Sequence, residues 1–249
     1  MRSQRPTHME IEGKRILISG ASRGLGRALA AAFVAARAGE VFAGTRTEQA
    51  RDSLRQEFPS HVTPVQLDVT SDSDVDGVAQ LGPIDILVNN AGVAGFGNPL
   101  TMSFDDVQHE LAVNYLGMLR VTRAVAPGMI AQRDGVIVNI ATAFAKVNLP
   151  LVGTYCATKA ALLSVGQALR AHLSDDNVRV ITVMPTTIDT DMSRGANVPK
   201  MTKEYVAGEI IAAIREERHD PPIGTEAKMV LDGLMKDPLA LEKMLMNYR

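Results

Sequence analysis

A tyrosine and a lysine four residues apart, Tyr155 and Lys159, are the side chains best suited by type and spacing to acid–base chemistry. On a helix, both side chains rise from one face. A free tyrosine has a pKa of about 10, too high for ready proton exchange at neutral pH. A neighbouring ammonium stabilises the phenolate, so we expect Lys159 to lower the pKa of Tyr155. The pair alone is weak support for catalysis, because most such pairs are a packed ring and a solvated amine.

A glycine-rich turn near the start of the chain has the features of a phosphate-binding site. Residues 15–19 form a short apolar run that predicts a buried strand, and Gly20-x-x-x-Gly24-x-Gly26 follows it. Apolar residues then recur at helical spacing. A strand, a turn and a helix in this order direct free backbone N–H groups at a phosphate. Because the turn lies in the first βα unit, we predict dinucleotide binding, with a plain β–α turn as the alternative.

The end of the second predicted strand, 41–45, indicates which dinucleotide is preferred. Sites that select NAD place an acidic residue there to bind the ribose 2′-hydroxyl. Here the strand ends in Thr45-Arg46, and Arg23 lies in the glycine turn. Two guanidiniums can bind a 2′-phosphate through charge-assisted hydrogen bonds, so we predict a preference for NADP(H). The alternative is a pair of solvated surface arginines.

Strands that alternate with helices must position these motifs. Further strands are predicted at 62–67, 84–88, 135–140 and 178–183, and long helices at 104–131 and 154–173. The strand segments are apolar on both faces and rich in β-branched residues, as parallel strands covered on both sides should be. The pattern predicts an α/β fold with a doubly wound parallel sheet (Rossmann fold) and helices on both faces.

We expect a single Rossmann-type domain over 1–249. Within it we expect a flexible N-terminal arm at 1–12, a substrate lid region at 187–218 and C-terminal helices at 225–247. The lid expectation depends on 187–201, which contains Gly195 and Pro199 and has little periodicity.

Composition argues against several classes of function. The formal net charge of −2 gives no reason to expect nucleic acid or an anionic membrane as a partner. One cysteine excludes an internal disulfide, and the five histidines lack ligand spacing, so we expect no metal. No apolar run approaches the roughly 18 residues of a membrane span. These features are typical of a cytoplasmic protein that acts on a small molecule.

Four motifs occur in a characteristic order: the glycine turn, Asn89-Asn90-Ala91-Gly92, Asn114 and Tyr155-x-x-x-Lys159. With them the chain resembles the short-chain dehydrogenase/reductase family over about residues 14–192. The resemblance implies an NAD(P)-dependent oxidoreductase that moves a hydride between nicotinamide C4 and a carbonyl or alcohol carbon. We expect a carbonyl reductase acting on ketones or aldehydes. The alternatives are a non-catalytic NADP(H)-binding sensor or scaffold, and an alcohol dehydrogenase working mainly in the oxidative direction.

The resemblance also implies roles for individual residues. Tyr155 would be the acid/base residue, Lys159 would hold the nicotinamide ribose, and Asn114 would support a water relay behind the lysine. The implied catalytic residues are Asn114, Thr142, Tyr155 and Lys159. The implied cofactor-binding residues are Gly20, Ser22, Arg23, Gly24, Leu25, Gly26, Thr45, Arg46, Asp68, Val69, Asn90, Ala91, Gly92, Tyr155, Lys159, Pro185, Ile188 and Thr190.

Two positions depart from the family pattern. Thr142 stands where the family normally has serine; it keeps a hydroxyl that can donate to a substrate oxygen, but its methyl stiffens χ1 and narrows the pocket. Thr186 follows Pro185 where the family usually has glycine, which affects the backbone path at the cofactor.

The expected substrate site combines catalytic and apolar residues. It comprises Phe96, Thr142, Phe144, Leu149, Tyr155 and Met192, and such a wall favours a modestly apolar carbonyl compound. The family's usual C-terminal strand with a glycine pair is absent, and a remnant is expected near Pro222-Ile223. We therefore expect a homodimer through 104–131 and 154–173, with a tetramer as the alternative.

Overall fold

The computed structural model describes residues 9–246. Most of the predicted N-terminal arm, 1–8, lies outside the described residues, as does residue 247 of the predicted C-terminal helices. The rest of the arm is packed rather than free: Met9 and Ile11 are buried, and the Met9 N–H donates to the Arg215 carbonyl at 3.1 Å. The expectation of a flexible arm therefore fails for residues 9–12.

The strands form a seven-stranded parallel sheet in the order β3-β2-β1-β4-β5-β6-β7. Their bounds are β1 Arg15–Ile18, β2 Glu40–Thr45, β3 Val62–Gln66, β4 Ile86–Asn89, β5 Gly135–Ile140, β6 Val178–Pro185 and β7 Pro222–Ile223. The chain runs outward from β1 to β3 and then returns to place β4 on the other side of β1. This reversal opens a crevice at the carboxyl ends of β1 and β4, the usual ligand position of an open α/β sheet. The doubly wound prediction is confirmed, including the two-residue remnant at β7.

Helices cover both faces of the sheet. They are α1 Gly24–Ala35, α2 Glu48–Glu57, α3 Asp72–Ala79, α4 Phe104–Leu111, α5 Met118–Gln132, α6 Gly153–Leu173, α7 Lys203–Arg215, α8 Thr225–Lys236 and α9 Pro238–Leu245. Alternate strand residues point to opposite layers: Ile16 and Ile18 belong to one apolar cluster and Leu17 to the other. The first cluster packs under α1 and α7, and the second under α3 and α5.

The helix predicted at 104–131 is interrupted. A π-helical turn, Ala112–Gly117, separates α4 from α5. At its end, a Cβ on Gly117 would lie 2.5 Å from Val69 Cγ2, so only glycine permits this approach to the loop after β3. Such turns accommodate an extra residue and are frequent at functional sites.

The lid region predicted at 187–218 needs correction, because its second half is α7. Val206, Ile210 and Ile214 are fully buried at helical spacing in the core cluster shared with α1. Moving α7 would expose this apolar stripe to water. Only 187–201 remains a candidate lid, and its ends are joined by hydrogen bonds between Met201 and the backbone of Thr187 and Asp189.

Candidate active site

Asn114 is fully buried in the π-helical turn and ties three elements together. Its Oδ1 accepts from the Val93 N–H at 2.9 Å, and its Nδ2 donates to the Val93 carbonyl at 2.8 Å. The same Nδ2 donates to Thr158 Oγ1 at 2.9 Å, and that hydroxyl donates to the Tyr155 carbonyl at 2.7 Å. The turn, the loop after β4 and the first turns of α6 are therefore held in one arrangement.

Lys159 is anchored at the end of β5. Its Nζ donates to the Ile140 carbonyl at 2.8 Å and lies 5.7 Å from the centroid of the Tyr155 ring. A Cβ on Gly92 would lie 3.3 Å from Asn114 Oδ1 and 3.5 Å from Lys159 Nζ, so the three residues adjoin. The pair predicted from spacing therefore shares one face, beside Asn114.

Burial dominates the titration of both side chains. It lowers the pKa of Lys159 to about 8. It raises the pKa of Tyr155 above its ordinary value, and the charges of Cys156 and Glu110 act in the same direction. The expectation that Lys159 lowers the tyrosine pKa is not met in this structure. The physical reason is that the lysine is desolvated and directed at the Ile140 carbonyl.

Thr142 lies just beyond the end of β5, two residues after the carbonyl that holds Lys159. The side chain is buried, and its Oγ1 accepts from the Phe144 N–H at 3.3 Å, capping a short 3₁₀ turn, Ala143–Ala145. Because the hydroxyl acts there as an acceptor, its own hydrogen remains available for donation.

The glycine turn is packed closely against the segment after β4. Asn90 Nδ2 donates to the carbonyls of Ser19 and Gly20, each at 3.0 Å. A Cβ on Gly26 would lie 2.3 Å from the Gly20 oxygen, and Gly20 itself has φ of +69°. Arg23 is the N-cap residue of α1 but makes no side-chain cap, and the first turn contains no acid. An anion at this helix N-terminus would meet backbone N–H groups and no competing carboxylate from that turn, which fits a dinucleotide phosphate.

The residues expected near the adenosine end lie at the neighbouring strand ends. Arg46 is exposed after β2, whereas Thr45 is buried. Arg23 is largely exposed, and its guanidinium lies 3.4 Å from an Asp191 carboxylate oxygen in the candidate lid. Asp68 Oδ1 accepts from both the N–H and the hydroxyl of Thr70, and this fixes the turn after β3.

The end of β6 provides the third wall of the crevice. Thr190 approaches the glycine turn, with its Cγ2 3.3 Å from a Cβ placed on Gly24. The Ile188 carbonyl accepts from Ser193 Oγ at 2.7 Å. Thr186, the departure from the family pattern, is buried, and its hydroxyl has no partner among the described residues. An unpartnered buried hydroxyl here is compatible with a polar ligand at this strand end.

The expected substrate wall does not form one continuous surface. Phe144, Leu149 and Tyr155 belong to one apolar cluster with α8 and α9. Phe96 lines a separate cavity of about 510 Å³ beside α4. Met192 is 41% exposed on the candidate lid.

Two hydroxyls that position the site could not be predicted from the sequence. Ser19 Oγ accepts from the N–H groups of Asn90 and Ala91, each at 3.1 Å, and so fixes the segment after β4. Thr158 links Asn114 to α6, as described above. Neither residue carries a recognisable signal, because a hydroxyl at a strand end or within a helix is common without such a role.

A row of buried polar residues also went unpredicted. Asn89, Asn139 and Thr182 are paired across β4, β5 and β6, and Asn89 Nδ2 donates to Asn139 Oδ1 at 2.9 Å. A Cβ on Gly166 would lie 2.8 Å from Thr182 Oγ1, so this glycine lets α6 approach the row closely. The row and the glycine together set how deeply the helix that carries Tyr155 lies on the sheet.

Two negative observations apply to residues 9–246. There, no group of three or more His, Cys, Asp and Glu side chains is arranged to hold a metal ion. None of the helices in the same range is long and apolar enough to cross a membrane.

A family model, curated relatives and solved structures all match this chain to the same protein family. The model of the short chain dehydrogenase family matches residues 14–200. A D-erythrulose reductase from Gallus gallus is 37% identical over 188 residues, covering 75% of this chain and 76% of the relative. An NADP-dependent 3-hydroxy acid dehydrogenase from Schizosaccharomyces pombe is 33% identical over 195 residues, with 74% of each chain covered. A short-chain dehydrogenase from Burkholderia cenocepacia, solved in complex with NADP, superposes with a TM-score of 0.88 at 33% identity, covering 96% of this chain and 100% of that one.

Proposed function

This chain belongs to the short-chain dehydrogenase/reductase family, and from that premise we propose that it is an NADPH-dependent carbonyl reductase, converting a ketone or aldehyde to an alcohol. The observation that carries the proposal is the junction at the end of β5. There the Ile140 carbonyl holds Lys159 beside Tyr155, and Thr142 lies two residues after Ile140.

The chain's own residues account for the movement of the proton. When bound, the reduced nicotinamide supplies the hydride. Tyr155 donates its proton to the carbonyl oxygen, and Thr142 donates a hydrogen bond to the same oxygen, where negative charge develops. The raised pKa of Tyr155 keeps the phenol protonated, the form that reduction requires, and also makes it a weaker acid than a free tyrosine. Lys159, with a pKa of about 8, exchanges protons near neutral pH and is suited to resupply the tyrosine.

The choice of NADP(H) over NAD(H) rests on charge. The end of β2 carries Arg46 and no acid, and Arg23 lies in the glycine turn. Two guanidiniums favour a 2′-phosphate. The NADP complex of the Burkholderia protein and the NADP dependence named for the yeast relative support the same choice.

Loss of the tyrosine hydroxyl tests the proposal. The unmutated protein should oxidise NADPH in the presence of members of a panel of ketones and aldehydes. The loss of NADPH absorbance measures this reaction. Tyr155→Phe should lower kcat by about 10²-fold or more, because the proton donor is removed. NADPH binding, measured by fluorescence, should change little.

Tyr205→Phe is the matched control, since Tyr205 is half exposed on α7. It should leave kcat unchanged. Unaltered turnover in Tyr155→Phe would remove the tyrosine from the mechanism, and NADPH binding without reduction of any carbonyl would favour the sensor instead.

Charge reversal at Arg46 tests the cofactor. Arg46→Asp should weaken NADPH binding and shift the ratio of the NADPH and NADH dissociation constants towards NADH by about 10-fold or more, because a carboxylate repels the 2′-phosphate. Arg123→Asp, at an exposed position of α5, should leave the ratio unchanged. Equal dissociation constants in the unmutated protein would contradict the charge argument.

A further inference from the structure

A cavity of about 510 Å³ lies between the loop after β4 and α4. The residues of its wall that matter here are Gly95, Phe96, Met102, Asp106 and Glu110. The described residues that line it include two carboxylates and one histidine, His109, but no lysine or arginine. The cavity therefore favours a ligand that donates hydrogen bonds or carries positive charge over an anion.

Glu110 is the unusual member of this wall. It is only 2% exposed, although glutamate is rarely buried without a partner. Its Oε1 accepts from the Gly95 N–H at 2.5 Å, and its Oε2 has no hydrogen-bond partner among the described residues. A buried carboxylate oxygen left without a donor is costly, and its persistence calls for an explanation.

The cavity lies near the segment that carries Tyr155, because the charge of Glu110 in its wall contributes to the raised pKa of the tyrosine. Met102, which lines it, accepts a hydrogen bond at its sulfur from Thr154 Oγ1 at 3.2 Å, one residue before Tyr155. Glu110 lies one helical turn before Asn114, which is linked to Tyr155 through Thr158. The spacing of four residues places Glu110 and Asn114 on one side of the continuous helical segment formed by α4 and the π-helical turn.

We propose that this cavity is a substrate subsite in which Glu110 Oε2 accepts a hydrogen bond from a hydroxyl or ammonium group carried by the carbonyl substrate. The proposal rests on the proposed function and names its substrate class: hydroxylated or amine-bearing ketones and aldehydes rather than purely apolar or anionic ones. Asp106, on the opening of the same cavity, reinforces the preference by charge.

Met102 provides the means of access. A Cβ placed on Gly95 would lie 2.1 Å from Met102 Cε and 3.2 Å from Glu110 Oε1, so the Met102 methyl group packs against Gly95 beside the carboxylate. Methionine is unbranched and adopts new rotamers readily. We expect a rotamer change at Met102 to give a ligand in the cavity access to Glu110 Oε2.

Glu110→Gln tests the effect of the negative charge alone, because the amide oxygen can still accept the hydrogen bond from the Gly95 N–H. The probes are four ketones identical except for one distal group: hydroxyl, ammonium, methyl or carboxylate. The unmutated protein should give a kcat/KM about 10-fold or more higher for a donor-bearing ketone than for the methyl compound, and lowest for the carboxylate. In Glu110→Gln the ammonium advantage should disappear and the carboxylate compound should improve by about 10-fold. Asp105→Asn, exposed on the same helix, should change none of these ratios.

A binding measurement separates this proposal from the proposed function. The alcohols corresponding to the four ketones are titrated calorimetrically against the NADP-loaded Tyr155→Phe protein, which needs no turnover. Tighter binding of a donor-bearing alcohol that Glu110→Gln abolishes supports the subsite, even if no carbonyl is reduced. Equal affinities for the four compounds, or a uniform change in Glu110→Gln, would overturn it and leave Glu110 as a support for the loop.

Discussion

Burial acts on the two titrating side chains of the site in the same sense, towards the neutral form. It raises the pKa of the Tyr155 phenol and lowers that of the Lys159 ammonium. A neutral phenol can donate a proton, and an amine that titrates near pH 8 can exchange one. Burial therefore keeps the phenol protonated and makes it a weaker acid than the sequence led us to expect.

The shift at Lys159 has a consequence for stability. Because folding lowers its pKa from 10.5 to about 8, the unfolded chain binds more protons between these values, and stability rises with pH there. Below about pH 8, both states are protonated and the contribution no longer varies. Against Lys159→Met, the unmutated protein should gain on the order of 1–3 kcal/mol of unfolding free energy between about pH 8 and 10.5. Urea unfolding of both proteins across this range measures the difference, and a flat difference would contradict the assigned burial effect.

Thr142 provides a second test at this scale. Thr142→Ser retains the hydroxyl and should keep kcat within a few-fold, whereas Thr142→Val keeps the shape without the donor and should lose about 10²-fold. Steady-state rates with a saturating ketone and NADPH compare the two. Full activity in the valine variant would show that the hydroxyl does not stabilise the developing charge.

Individual residues were predictable where a local motif contains them. The glycine turn and the Tyr155–Lys159 pair could be identified from residue types and spacing, whereas Asn114 was identified only through the resemblance to the family. Glu110 and Ser19 could not, because their importance comes from backbone groups that are distant in sequence and close only after folding. The predicted direction of the Tyr155 pKa shift was wrong for the same reason, because desolvation depends on the groups that surround the ring after folding.

At the scale of elements, the close packing of α1 on the segment after β4 depends on Gly26. In Gly26→Ala the new methyl would collide with the Gly20 carbonyl at 2.3 Å and with Asn90 Nδ2 at 2.6 Å. We expect a loss of about 1–3 kcal/mol in unfolding free energy, together with weaker NADPH binding. Chemical denaturation and cofactor titration measure both effects.

Gly208→Ala is the matched control, because a Cβ there meets nothing within 4 Å and the residue is exposed on α7. It should stabilise the protein by about 0.5–1 kcal/mol, as alanine does in a helix interior. A Gly26→Ala protein as stable as this control would show that the turn can move without cost.

Most helices and strands could be predicted from the sequence, but the π-helical turn and the extent of the lid could not. Strand positions followed from apolar runs, and even the short β7 was anticipated. The π-helical turn was not, because the apolar pattern of 104–131 continues across it and only the contacts of Asn114 and Gly117 reveal the extra residue. The extent of the lid was overestimated, because the apolar stripe of α7 packs into the core.

For the whole molecule, α4 leaves apolar surface uncovered. Phe104 is 83% and Leu111 41% exposed, and at seven residues apart they share one side of the helix. We expect this side to lie in the proposed homodimer. Phe104→Lys should raise the dimer dissociation constant by about 10-fold or more, measured by light scattering across a dilution series.

Met235→Lys tests the alternative surface, because Met235 is 87% exposed on α8. It should leave the dimer unchanged. Dissociation caused by this variant instead of Phe104→Lys would place the contact between subunits at the C-terminal helices.

The ion pair between Arg23 and Asp191 connects two parts of the crevice that are far apart in sequence. Both side chains are substantially exposed, so the pair contributes at most about 1 kcal/mol and yields to a stronger anion. Under the proposed function, that anion is the 2′-phosphate. The Arg23 guanidinium would then exchange the Asp191 carboxylate for the phosphate, and nucleotide binding would remove one of the contacts that hold 187–201 to the glycine turn.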